Sequence, residues 1–151
     1  MQQHHQNKKD MYEPQPYILL IDDDDDDLEM FSSGLEKKGI KVKTIDSSTK
    51  ALSYLTLMPD NMEVPCLIIV DYDMRGQNGY DVLLSVKDSY DTKDIPVVIY
   101  STNISVLLRQ KLSIAGALYC VDKPWNCKEL NGQVQRFQDL FFSITTNKNL
   151  V

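Results

Sequence analysis

No apolar run in this 151-residue sequence approaches the roughly 18 to 20 consecutive hydrophobic residues that cross a bilayer. The N-terminus has no apolar signal core after its charged residues either, so the expected location is the cytoplasm. Cysteine is scarce. Cys66, Cys120 and Cys127 are odd in number and have no metal-type C-x-x-C spacing, which fits structural thiols in a reducing compartment. Excess positive charge is also missing: the net charge is -6 and no basic stripe is visible, which argues against a nucleic-acid surface. Internal repeats are absent, and the only compositionally biased tract is the acidic run 22–27. The length suits one domain with a self-sufficient core.

What is present is a set of short apolar runs, four of which stop at a polar residue of a particular kind. Ile18 to Ile21 runs into Asp22-Asp23, Leu67 to Val70 into Asp71, Val97 to Tyr100 into Ser101, and Leu118 to Val121 reaches Asp122 and Lys123. Strands of a parallel sheet covered on both faces read as continuous apolar runs, and their carboxyl ends share one edge, where ligands bind. Two further signals complete the pattern. A strand is expected at 41–45, and helical spacing recurs after each strand, near 25–38, around Ala51 to Leu55, at 79–89, at 104–114, and from beyond Pro124 to about 142. Gly39 and Gly116 mark helix ends, and Asp46-Ser47-Ser48 reads as a capping segment. The prediction is a five-stranded parallel sheet with helices on both faces, an α/β three-layer sandwich over 17–142. Residues 1–16 read as a flexible N-terminal tail and 143–151 as a short C-terminal tail.

The residues converging on that edge suit phosphoryl transfer. Asp71 is the candidate nucleophile, because a carboxylate can accept a phosphoryl group as a mixed anhydride. Asp22 and Asp23 beside it create like-charge repulsion that a cation would relieve, and hard oxygen ligands favour Mg²⁺. Lys123 offers an ammonium and Ser101 a hydroxyl to the phosphoryl oxygens.

At these residues the chain resembles the receiver domains of two-component response regulators, which have the flavodoxin-like (βα)5 fold. The resemblance rests on Asp22-Asp23, Asp71, Ser101 and Lys123-Pro124 at matching strand ends, and on the intervals between the last three. It implies that Asp71 accepts phosphate from a histidine kinase or a histidine phosphotransfer protein. It implies that Asp22, Asp23, Asp71 and the backbone carbonyl of Asp73 hold Mg²⁺, that Ser101 moves toward the phosphoryl group, and that Lys123 pairs with it. It further implies a cis Lys123-Pro124 bond, Thr102 lining the approach to Asp71, and output by binding a downstream effector protein. A homodimer is among the states left open.

Departures from the family pattern are equally legible. Arg75 stands where proline is common, and Cys120 where a switch aromatic is usual, which leaves its neighbour Tyr119, or Tyr100, as the candidate switch aromatic. Asp73 and Asn103 occupy positions that tune phosphoryl lifetime in the family. The segment 57–65 is longer than is common.

Asp24 to Asp27 are expected to cap and charge the first helix. A calcium loop fits poorly, because the run lacks glycine at its sixth position and has Ser33 in place of the bidentate glutamate. Trp125 and Phe141-Phe142 offer apolar surface for a partner, and no output domain is expected after 142. Two other readings compete: a haloacid-dehalogenase-like phosphatase using Asp71-Tyr72-Asp73, and a receiver fold kept as a non-phosphorylated adaptor.

Overall fold

The computed structural model describes residues 15–58 and 64–148. Strands and helices alternate as β1 (Tyr17–Ile21), α1 (Asp25–Glu36), β2 (Lys41–Ile45), α2 (Ser48–Thr56), β3 (Leu67–Asp71), α3 (Gly79–Asp88), β4 (Val97–Ser101), α4 (Val106–Ile114), β5 (Tyr119–Asp122) and α5 (Cys127–Lys148). All five strands are parallel in the order β2-β1-β3-β4-β5. The chain reverses its winding between β1 and β3, so a crevice opens at their carboxyl ends.

Alternation along the strands divides the core in two. Leu19, Ile21, Ile68, Val70, Val97 and Ile99 face the layer that includes Ala51, Val82, Leu83 and Leu112 of α2 to α4. Ile18, Leu20, Leu67, Ile69, Val98 and Tyr100 face α1 and α5, where Phe31, Leu35, Val134 and Phe137 meet them. The three central strands are buried along their whole length, which is why they lack polar alternation. Each fully buried Leu or Ile contributes about 1.5 to 3 kcal/mol relative to exposure.

The helix boundaries follow local chemistry. Asp24 caps α1, its carboxylate accepting from the amides of Asp26 and Asp27, and Ser47 caps α2. Asn78 and Asp81 form a reciprocal capping box at α3. Ser105, not Ser101, caps α4. Gly39 and Gly116 follow α1 and α4 with positive φ, a conformation that costs glycine little.

Two expectations are corrected. The last helix does not stop near 142: it continues to Lys148, because Ile144 extends the stripe packed on the α1/α5 core and no Gly or Pro falls between 142 and 148. The expected C-terminal tail is therefore helical as far as 148, and 149–151 lie outside the described residues. The Lys123–Pro124 bond is trans, as are all peptide bonds among the described residues. Trans is the intrinsically preferred isomer even before proline, and the flanking Lys123 and Trp125 amides donate to the Ser101 carbonyl and the Glu129 carboxylate. Residues 1–14 of the expected tail, and 59–63 of the long 57–65 segment, lie outside the described residues.

Gly79 is a point of close approach. A Cβ there would stand 2.6 Å from the Asp71 carbonyl oxygen and 2.8 Å from Tyr72 Cα, both backbone, so α3 can start against the end of β3 only with glycine. A Cβ on the exposed, helical Gly132 would meet nothing within 4 Å. Thermal denaturation should show Gly79→Ala destabilised by about 2 kcal/mol or more and Gly132→Ala stabilised by about 0.5 to 1 kcal/mol. Equal shifts would contradict this account of the β3–α3 junction.

Candidate functional site

Strand register brings the predicted residues together. Ile21 pairs with Val70, Asp71 with Tyr100 and Ser101 with Asp122, so the next residues along, Asp22 and Lys123, reach the same edge. Asp22 is fully buried and Asp71 is 2% exposed. Asp22, Asp23 and Asp71 each offer a carboxylate oxygen, all within 4.8 Å of one another, an arrangement that fits a hard cation with oxygen ligands.

One ammonium balances this charge. Lys123 Nζ lies 2.9 Å from Asp27 Oδ2 and 3.3 Å from both Asp22 Oδ2 and Asp71 Oδ2. It also sits 5.0 Å from the centroid of the Tyr100 ring. Burial alone would lower the lysine's pKa, but the hydrogen bond it donates to Asp27 and the charges of Asp22 and Asp71 raise it, so it stays cationic. Asp71 is raised as well, but toward its neutral form: burial, reinforced by Asp22, pushes its pKa up to about 7, against the pull of Lys123. Its Oδ1 accepts from the Asp73 amide at 3.1 Å.

Several placements were not legible in sequence. The Tyr100 hydroxyl donates to Asp22 Oδ2, and burial beside that carboxylate pushes the phenol pKa well up. Its ring packs edge-on against Phe31, on the α1/α5 face. Tyr119 is 57% exposed and lines a groove with Gln133, Arg136 and Leu140 of α5. Of the two candidate aromatics, Tyr100 thus faces α1 and α5 and Tyr119 faces the α5 groove. Half-buried Cys120 packs on the α4 side, and Arg109 of α4 donates to its carbonyl and lies 3.9 Å from Asp122.

Ser101 is buried, and its hydroxyl donates to the Asp73 carboxylate. Thr102 beside it is exposed, its carbonyl 3.4 Å from Ser101 Oγ. Arg75 donates its amide to Asp23 Oδ2 at 3.0 Å and holds its guanidinium at 3.9 Å, so it does bring a cation to the site's rim. Asp27 was expected only to charge the helix end. The length of the acidic run was its one signal: Asp24 already caps α1, and Asp27 is left to face Lys123.

The family model for the response regulator receiver domain matches residues 18–135, and the chain belongs to that family. Among its relatives is the two-component response regulator ORR3 of Oryza sativa subsp. indica, 38% identical over 116 residues, covering 77% of this chain and 86% of that one. Another is ARR15 of Arabidopsis thaliana, 37% identical over 119 residues that make up 74% of this chain but 57% of ARR15. The fold is similar to that of the phosphorylated cyanobacterial phytochrome response regulator RcpA, with a TM-score of 0.78, 24% identity, and coverage of 86% of this chain and 96% of RcpA. Chemotaxis protein CheY4 of Vibrio cholerae is similar at a TM-score of 0.68 and 24% identity, with 82% and 98% covered. The chain is thus a receiver domain of the two-component response regulators, and the haloacid-dehalogenase-like alternative falls. No described helix is long and apolar enough to cross a membrane.

Asp71 retains its proton to about pH 7 in the folded protein, against an ordinary value of 3.8. Between those values the folded state holds the extra proton, so this group's contribution to stability is lost as pH rises from about 4 through 7. In metal-free buffer, Asp71→Asn should therefore exceed the wild type in stability by about 2 to 4 kcal/mol at pH 8. The two should converge below pH 4. Denaturant unfolding across that range checks this, and a constant difference would contradict it.

Proposed function

We propose that this receiver accepts a phosphoryl group on Asp71 from a phosphohistidine of a histidine kinase or histidine phosphotransfer protein. It then signals by binding an effector protein. The carrying observation is the convergence of the Asp22, Asp23 and Asp71 carboxylates within 4.8 Å at one strand edge, with Lys123 held against the two buried ones, Asp22 and Asp71. In the transfer, an Asp71 carboxylate oxygen attacks phosphorus, the P–N bond breaks with its electron pair going to the donor ring nitrogen, and the imidazole leaves neutral because its other ring nitrogen carries a proton. The names of the relatives, all two-component response regulators, support this pathway class.

The carboxylates of Asp22, Asp23 and Asp71 and the backbone carbonyl of Asp73 would hold Mg²⁺, which supplies charge neutralisation between the attacking carboxylate and the anionic donor. The residues do the positioning. Tyr100 and the Asp24 amide orient Asp22, the Asp73 amide orients Asp71, and Arg75 orients Asp23. Lys123 and Ser101 then donate to the phosphoryl oxygens, with Thr102 at the mouth of the approach. The family departure at Cys120 assigns the link to the output face to Arg109 and Asp122, because Asp122 pairs with Ser101 in register and with Arg109 in charge. The cytoplasm is the compartment consistent with such partners.

Acetyl phosphate with Mg²⁺ should add one phosphoryl mass to the intact wild-type chain and none to Asp71→Asn, and chelation should abolish the addition. Absence of uptake, or equal uptake by Asp71→Asn, would favour the non-phosphorylated adaptor.

A further inference from the structure

The two groups that would contact the phosphoryl oxygens are already engaged, each by a carboxylate outside the metal-type triad. Lys123 Nζ makes the shortest of its three ionic contacts, 2.9 Å, to Asp27. The Ser101 hydroxyl donates to Asp73. Neither carboxylate is needed to build the fold locally. Asp24 is the cap of α1, so Asp27 is free of that duty. Asp73 lies in the exposed β3–α3 connection, and it is its amide, not its carboxylate, that orients Asp71.

We propose that Asp27 and Asp73 are positioning residues that hold Lys123 and Ser101 in the unphosphorylated arrangement, so that a phosphoryl group on Asp71 is read only by displacing two carboxylates. This rests on the acceptor role of Asp71. A phosphoryl group brings about two negative charges and three strong acceptor oxygens, so it can compete for both donors. Hydrogen bonds to an ionised acceptor are about twice as strong as neutral ones, so each must be given up at a cost that weakens the activated state. Displaced Asp27 and Asp73 would also face the phosphoryl group as like charges. The two holds reach the site from α1 and from the β3–α3 connection and engage different donors, Lys123 and Ser101, so their effects should combine, with any departure from additivity passing through Asp71, which Lys123 and the Asp73 amide both contact.

The test is the affinity for beryllofluoride, a phosphoryl mimic, at saturating Mg²⁺, followed by fluorine resonances of the bound form. Asp27→Asn and Asp73→Ala should each bind it about three- to tenfold more tightly than wild type, and the double variant by roughly the product. Asp25→Asn removes the same charge from the same exposed helix turn without touching Lys123, and should change affinity by less than about twofold. In a Ser101→Ala background the gain from Asp73→Ala should shrink to the part that comes from removing a like charge, which a merely structural role would not predict. Unchanged or weaker binding by the two variants, or a gain from Asp25→Asn equal to that from Asp27→Asn, would overturn the proposal while leaving phosphorylation of Asp71 standing. Failure of the wild type to take up phosphate from acetyl phosphate would overturn the acceptor role, and this proposal with it.

Discussion

The arrangement of this protein depends on repulsion between buried carboxylates at the ends of β1 and β3. Unit charges about 4 Å apart repel by roughly 4 kcal/mol at an effective dielectric near 20. Asp22 and Asp71 are both within reach of Lys123 and almost wholly removed from water. The fold tolerates this because it is generous elsewhere: the three central strands bury every residue, and two apolar layers clamp the sheet. The site responds by raising the pKa of Asp71 and by concentrating three carboxylates on one ammonium. A divalent cation or a phosphoryl group entering here meets a charge balance already near its limit, which makes the strand ends sensitive to small changes.

That sensitivity has an exit on the opposite side of β4. Ser101 ends β4, pairs with Asp122, and its carbonyl accepts the amide of Lys123. Asp122 accepts from the Ile104 amide at the start of the α4 segment and faces Arg109 on that helix. Of α4 only Leu112 is buried, while Val106, Leu107 and Ile114 are largely exposed. A helix held by one buried leucine, the partly buried Leu108 and Ala115, and a few polar contacts lies toward the low-stability end of the molecule, where rearrangement costs least.

Much of this was legible in sequence because buried parallel strands write themselves as apolar runs, so their polar terminators stand out. The five parallel strands and the meeting of Asp22, Asp23, Asp71, Ser101 and Lys123 at one edge followed from that; the order β2-β1-β3-β4-β5 did not, because it depends on which strands pair across the sheet. Side-chain direction did not. Whether Tyr100 faces α4 or α1 depends on strand parity relative to the helix layers, and the structure puts it against Phe31 with its hydroxyl on Asp22. Pairing of Asp27 with Lys123 depends on the phase of α1 against the end of β5, a tertiary quantity absent from local pattern. The far end of α5 was also hidden, because a single Ile144 carries the apolar stripe beyond Phe141-Phe142 through an otherwise polar stretch.

The account stands most directly on proton release when Mg²⁺ binds. If Asp71 holds its proton to about pH 7 and must give it up to ligate a cation, binding should release about 0.9 proton at pH 6 and about 0.1 at pH 8. Calorimetric titrations in buffers of different ionisation enthalpy measure that number. A fall of this size across the two pH values, lost in Asp71→Asn, is the predicted result. Binding with no proton release at either pH, or no binding at all, would contradict the claim that repulsion at this strand edge is what the site is built around.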